Sequence, residues 1–343
     1  AGAVLRVGLQ HDAVDLTEFM GEDGFSDPSV AEGNRSLTQE ELEAEQNSRA
    51  ESPKDSDFSE ISTKDIAENR WKVHGVEVYR NGNLEYTYKD TKENRYPIYS
   101  ATKTILSLAV GIACDEGKFD IQKGILTYLP ERFVVKMSEK QRNTFEKITV
   151  ERLLTMSVDG FPFRPEGESY LAYSLACEVK SVSERIFHYN NIAAYLTGVA
   201  LTNALSEDLY EYLSGKVFEP LGILNPEYIR CPDGYFYGAS GMKMTVHELS
   251  QIGLLLYHEG EKDARRIVSK EYVKRATGIR QTNKEYGYGY FIWKYRDGFS
   301  INGKWKQRCY VFPEEGLIIT YLSDIRDDTK DLENSMEKHL LGK

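Results

Sequence analysis

Cysteine is scarce in this sequence: four among 343 residues, at Cys114, Cys177, Cys231 and Cys309, none of them in a CxxC pair. Such spacing argues against a zinc knuckle or a dense disulfide framework and leaves four separate thiols. Long apolar runs are also missing. The longest, Ile105 to Cys114, falls well short of the ~20 residues that a bilayer span requires. No basic-then-apolar segment opens the sequence, which points to the cytoplasm; an exported form that has shed its signal would read the same. Neither HExxH nor a phosphate-loop pattern is present, and His247-Glu248 has no second histidine four residues on.

An excess of positive charge is absent too. The formal net charge is −11, and residues 1–60, with 4 Lys/Arg against 15 Asp/Glu, carry all of it. The remaining chain is balanced, with 39 residues of each sign. A balanced body offers no field to attract nucleic acid or an anionic membrane, so neither is expected as a partner. Oligomeric state cannot be read from the sequence.

What is present divides the chain. Residues 1–60 read as an acidic, flexible extension. Within it "LTQEELEAEQNSRAE" suits one surface helix with Thr38 and Glu41 as a capping box. The body, 61–343, opens with "WKVHGVEVYRNGNLEYTYKD", whose alternation on both sides of Asn81-Gly82 predicts a β-hairpin. A helix is expected from Ala101 to about Glu116, stopped by Gly117. From Val150 to about Tyr257 the apolar spacing is mainly helical, with Thr245 and Glu248 as a capping box and Gly260 as a stop. After Thr277 the pattern returns to strands in "YGYGYFIWKY", "FSINGKWKQRCYVF" and "GLIITYLSD", and a terminal helix closes the chain. Strands at both ends (61–99 and 265–343) and helices between (100–264) predict an α+β fold. It is an antiparallel β-sheet with flanking terminal helices and an all-helical insertion, and a cleft lies between the two regions.

Ser-x-x-Lys occurs three times, as Ser100/Lys103, Ser240/Lys243 and Ser335/Lys338. The first alone opens an apolar helix after a strand-like segment. Spacing three puts both side chains on one helix face, about 5–6 Å apart at Cβ. The helix N-terminus favours a developing oxyanion. A lysine desolvated there loses its proton more readily and can serve as the base for the serine. A second element, Tyr189-Asn190-Asn191, stands just before another helix: a tyrosine can shuttle a proton, and an asparagine can hold a substrate amide. Taken singly, each feature also has a structural reading, Ser100 as a cap and Tyr189 as a packed aromatic. Asp159 and Arg164 read as a turn with a surface pair, Tyr170 and Tyr173 as packing or as lining of the site, and His188 receives no role.

Over roughly residues 70–340 the sequence resembles the serine β-lactamase and penicillin-binding-protein superfamily, in its class C-like branch with D,D-carboxypeptidases, esterases and nylon-oligomer hydrolases. The resemblance is carried by "YSATKTILSLAVGIACDEGKFD", "ERLLTMSVDG", "FHYNNIAAYLTG", "FEPLGI", "GMKMTVHELSQIGLLL", "YGYGYFIW" and "YVFPEEGLIITYLSD", in family order and spacing. It implies Ser100 as nucleophile, Lys103 as base, Tyr189 as the proton relay to the leaving group and Asn191 as the amide-binding residue. The oxyanion hole would be the N–H of Ser100 with that of Lys304. No metal or organic cofactor is implied.

The third motif departs from the family. Ile301-Asn302-Gly303 fills a slot that usually holds Lys-Thr-Gly or His-x-Gly, so Asn302, Gly303 and Lys304 become the substrate-binding candidates without a cation before the glycine. Lys304 and Lys306 read either as replacement charges or as solvated edge residues, and Trp305 as a wall of the cleft. The functional expectation is a serine hydrolase acting on a small-molecule or peptide-like ester or amide. The alternative is a non-catalytic binding or regulatory protein on the same scaffold.

Overall fold

The computed structural model describes residues 64–68, 71–89, 94–283, 286–326 and 333. The 1–60 extension, its capping box, Ser335/Lys338 and most of the terminal helix lie outside them. Eight strands form one antiparallel sheet: β1 (Val73–Arg80), β2 (Asn83–Lys89), β3 (Gln281–Asn283), β4 (Tyr286–Tyr288), β5 (Trp293–Tyr295), β6 (Gly298–Gly303), β7 (Gln307–Phe312) and β8 (Leu317–Ser323). Their order is β2-β1-β8-β7-β6-β5-β4-β3, so the first strands of the body pair with its last.

The hairpin at Asn81-Gly82 forms as the sequence predicts. Arg80 pairs with Asn83, and the two turn residues take positive φ, 49° and 81°, as a two-residue turn matching the strand twist requires. The strands after Thr277 are more numerous than the three sequence segments suggest. "YGYGYFIWKY" breaks into β4 and β5, and "FSINGKWKQRCYVF" folds back on itself as β6 and β7. The reversal falls at Lys304–Lys306, where Trp305 and Lys306 both have positive φ without a glycine. Turn chemistry of that kind leaves no Gly or Asn signature to read.

The sheet separates two cores. Ile301, Cys309, Val311, Ile318 and Leu322 pack toward the helices, in one cluster with Ile105, Leu106, Leu196 and Leu249. Val76, Val78, Tyr310, Phe312, Ile319 and Tyr321 form the cluster on the opposite face. There Glu333 accepts from Arg308 Nε (3.3 Å) and Tyr310 Oη (2.7 Å), which fixes one residue of the C-terminal segment over the outer face.

Three helices set the site. α1 (Thr102–Asp115) is apolar around most of its circumference, as a helix buried on all sides must be; twelve of its fourteen residues are buried. α2 (Asn191–Leu205) begins at Asn190, whose side chain caps Ala193 N. α3 (Val246–Tyr257) starts with the Thr245/Glu248 capping box and lies against β8, β7 and β1. A two-stranded pairing of Tyr96–Pro97 with Lys243–Met244 ties the entry of α1 to the loop before α3.

Candidate active site

Ser100 sits in a 3₁₀ turn, Tyr99–Ala101, that runs directly into α1. Tyr99 has φ 47°, a left-handed conformation that a bulky side chain adopts only when its surroundings impose it. Those surroundings are on both sides. Ile98 N donates to Met242 O (3.0 Å), and Ala101 N donates to Ile98 O (3.0 Å). Thr102 Oγ1 in turn accepts from Met242 N (3.3 Å).

Lys103, one turn along α1, is 1% exposed and meets three oxygens: Ser100 Oγ at 2.9 Å, Asn191 Oδ1 at 2.7 Å and Ala239 O at 2.8 Å. Two of these partners only accept. A neutral amine has two N–H groups for them and a lone pair that remains for the serine hydroxyl proton. Burial favours that neutral form and holds the lysine well below its ordinary pKa. Both protonation states pair all three oxygens: an ammonium donates to each, and a neutral amine donates to the two carbonyl oxygens and accepts from the Ser100 hydroxyl.

Tyr189 lies beside this pair, its ring centroid 5.0 Å from Lys103 Nζ. Trp293 of β5 supports the ring at 5.4 Å between centroids, with Tyr288 edge-on at 6.3 Å. The segment that carries Tyr189 is held by the loop of residues 156–163. His188 N donates to Met156 O (2.8 Å), His188 Nε2 to Phe161 O (2.7 Å), and Asn191 N to Phe163 O (2.5 Å). Sequence reading gave His188 no role and paired Asp159 with Arg164. Asp159 instead faces His188 Nδ1 at 3.5 Å and Lys180 at 3.9 Å. Tyr170 is buried and packs edge-on against Tyr195 and Tyr237.

The third-motif strand lies close behind the nucleophile turn. β5 pairs with β6 only as far as Ser300, so Ile301–Gly303 have no β5 partner on that edge. Gly303 abuts the turn: a Cβ there would stand 2.2 Å from Ile98 O. Asn302, a substrate-binding candidate from sequence, faces the other way. It pairs with Arg308, which shares the outer face with Tyr310, while Ile301 and Cys309 face the helices. The period-two alternation of a strand permits no other outcome once Ile301 is inside. Asn302 Oδ1 is buried there without a hydrogen-bond partner among the described residues.

Lys304 begins the β6–β7 turn and rests over the Trp305 ring, 5.2 Å from its centroid. Lys306 is 2% exposed, so it is not a solvated edge charge. Trp305 packs edge-on against Tyr99 (5.1 Å) and carries the Arg326 guanidinium at 3.9 Å; it lines a groove with Lys72 and Tyr99.

Of the sequence candidates, the fold thus brings together Ser100, Lys103, Tyr189, Asn191 and the backbone at Gly303. It does not bring in the Asn302 side chain. Ala239 O, Trp293 and Tyr288 were missed. The one signal for Ala239 was that "YGASGMKMT" holds the second Ser-x-x-Lys, whose Lys243 proves to pair with Glu227 (3.0 Å).

The sequence profile described as "Beta-lactamase" matches residues 64–342. No curated protein matches the sequence significantly. Among solved structures, a candidate 6-aminohexanoate-dimer hydrolase from Bacillus anthracis superposes with a TM-score of 0.68 at 16% identity, covering 82% of this chain and 80% of its own. The octameric penicillin-binding protein homologue from Pyrococcus abyssi gives 0.61 at 18%, over 84% and 78%. EstCE1, described as a hydrolase with promiscuous acyltransferase activity, gives 0.65 at 13%, over 85% and 99%. At these identities the likeness establishes the fold alone.

Proposed function

This chain belongs to the beta-lactamase family, and on that premise we propose that it is a serine hydrolase that cleaves an ester or amide through an acyl-enzyme on Ser100. The observation that carries the reading is the buried Lys103 amine, 2.9 Å from Ser100 Oγ and held by two acceptors. A lysine needed only for packing would keep its charged end toward water.

In the proposed sequence Lys103 takes the Ser100 hydroxyl proton as Oγ attacks the substrate carbonyl, and the oxyanion forms against the N–H groups of Ser100 and Lys304. Fixed donors of this kind contribute about 3–4 kcal/mol each. Tyr189 passes the proton to the departing amine or alcohol as the tetrahedral intermediate collapses. Water then attacks the ester on Ser100, giving up a proton to the same base, and the acid leaves with Ser100 restored. Asn191 serves twice, orienting Lys103 through Oδ1 and contributing to the binding wall. Because no cation stands on β6 before Gly303, β-lactams are poorer acyl donors here than simple esters or amides.

Intact-protein mass spectrometry tests the reading, after incubation with a fluorophosphonate and separately with a penicillin. We expect a fluorophosphonate adduct on the wild type that is absent from Ser100→Ala, and slower or no addition of penicillin. A folded wild-type sample that takes up neither reagent would replace the hydrolase by a binding protein on this scaffold.

A further inference from the structure

The β6–β7 turn is held by its carbonyls. Arg308 of β7, fully buried, donates from Nη1 to Gly303 O (2.8 Å) and Gln307 O (3.0 Å). Gln307 Nε2 donates to Lys304 O (2.9 Å) and lies 3.3 Å from Trp305 O. Ser323 Oγ stands 2.9 Å from both Trp305 O and Lys306 O. Every carbonyl from Gly303 to Gln307 thus has a side-chain donor within hydrogen-bond distance. The Lys304 N–H, by contrast, meets no acceptor among the described residues.

Gly303 O and the Lys304 N–H belong to one peptide unit. Such a unit is planar and trans, so its carbonyl and its N–H point in opposite directions. Arg308 takes the carbonyl from the outer face of the sheet, where Glu333 and Tyr310 lie with it. The nucleophile turn is on the inner face: Gly303 shares the strand parity of Ile301, and a Cβ on it would stand 2.2 Å from Ile98 O. The Lys304 N–H is therefore turned to the side on which Ser100 stands. A hydrogen bond to a peptide carbonyl also polarises the unit and strengthens its N–H as a donor. Glu333 Oε1, 3.3 Å from Arg308 Nε, supplies the counter-charge that a buried guanidinium needs.

We propose that Arg308 is a positioning residue for the reaction: from behind the sheet it fixes the Gly303–Lys304 peptide so that the Lys304 N–H faces the oxyanion formed when Ser100 attacks. Arg308 stands on the face away from Ser100 and acts only through that peptide, and Glu333 anchors it there. An N–H free to turn must be reoriented as the charge develops, whereas one fixed beforehand stabilises the charge without that cost. The β6–β7 turn has positive φ at Trp305 and Lys306 and no glycine to ease it, so side chains rather than turn propensity hold this peptide. The inference rests on the hydrolase reading above.

The test compares 4-nitrophenyl butyrate with its thionoester, in which sulfur replaces the carbonyl oxygen, in the full-length protein. Attack on the thionoester places the charge on sulfur, a weak hydrogen-bond acceptor, so its rate gains little from the N–H donors. In wild type the ratio of kcat/KM, ester over thionoester, is expected to be about 100-fold or more. Arg308→Met is made together with Glu333→Gln, so that no charge stays buried without a partner and Tyr310 keeps an acceptor. This double variant is expected to lower the ratio about 10-fold, the ester losing more than the thionoester. Arg308→Lys, which keeps a charge beside Glu333, is expected to fall between the two. Melting temperatures report folding, and if the double variant does not fold, Arg308→Lys decides alone. A wild-type ratio near one, a ratio unchanged in the folded variants, or an equal loss on both esters overturns the proposal while leaving the hydrolase in place. Absence of Ser100-dependent release of nitrophenolate from both esters overturns the hydrolase reading, and with it the role of Arg308.

Discussion

Replacing Gly303 by alanine tests how the third-motif strand supports the nucleophile. The added Cβ would stand 2.2 Å from Ile98 O and 3.0 Å from Gln307 Cβ, against 3.4 Å for an ordinary contact. One of the two backbones must therefore yield by roughly 1 Å. Neither yields freely. Gly303 is paired with Gln307, and Gln307 Nε2 donates to Lys304 O (2.9 Å) and Ser323 O (2.6 Å). Ile98 is held by Met242 O through its N–H and by Ala101 N through its carbonyl. Overpacking at such a place costs about 1–3 kcal/mol, or roughly 2–10 °C in Tm for a domain of this size. Ile98 precedes Ser100 by two residues, so the shift passes into the turn, and a displacement near 1 Å can cost about 100-fold in rate. The assay pairs thermal unfolding with the rate of fluorophosphonate acylation followed by intact mass. Gly303→Ala is expected to lose stability by that amount and acylation by about 100-fold. A variant with wild-type Tm and wild-type acylation rate would refute the claim that β6 buttresses Ser100.

Lys103→Met is expected to abolish acylation and also to change how stability depends on pH. Burial depresses the folded-state pKa of Lys103, so below about pH 10.4 the unfolded chain binds a proton that the folded chain lacks. Stability therefore rises with pH between the depressed pKa and about 10.4, at up to ~1.4 kcal/mol per unit. Urea unfolding at about pH 7.5 and 9.5 should show that increment in wild type and its removal in Lys103→Met; equal increments would mean that Lys103 is charged in the fold. For the same reason acylation of the wild type should fall on acidification. Tyr189→Phe should slow amide cleavage by about 100-fold or more while slowing 4-nitrophenyl esters much less, because nitrophenolate leaves without a proton; equal slowing of both would remove Tyr189 from the relay. Glu248→Ala removes the acceptor of Arg95 (2.5 Å) and of Thr245 N (2.9 Å), and a loss of about 3–5 kcal/mol in urea unfolding is expected; a loss under 1 kcal/mol would show that Arg95 is held by Leu224 O and Asn225 O instead.

The sequence by itself determined the parts of this protein whose signals are local. The Asn81-Gly82 hairpin, the Thr245/Glu248 capping box and the apolar helix after Ser100 each rest on interactions within a few residues, where propensity and spacing suffice. The order of its motifs also identified the family, and Ser100 and Lys103 could be paired because one helical turn sets their separation. Only the tertiary structure decided the rest. Asn191 and Ala239 reach Lys103 across 88 and 136 residues, and no local pattern encodes contacts at such range. Asn302 was misread because a strand's face depends on which alternate residue the core claims, and Ile301 was claimed.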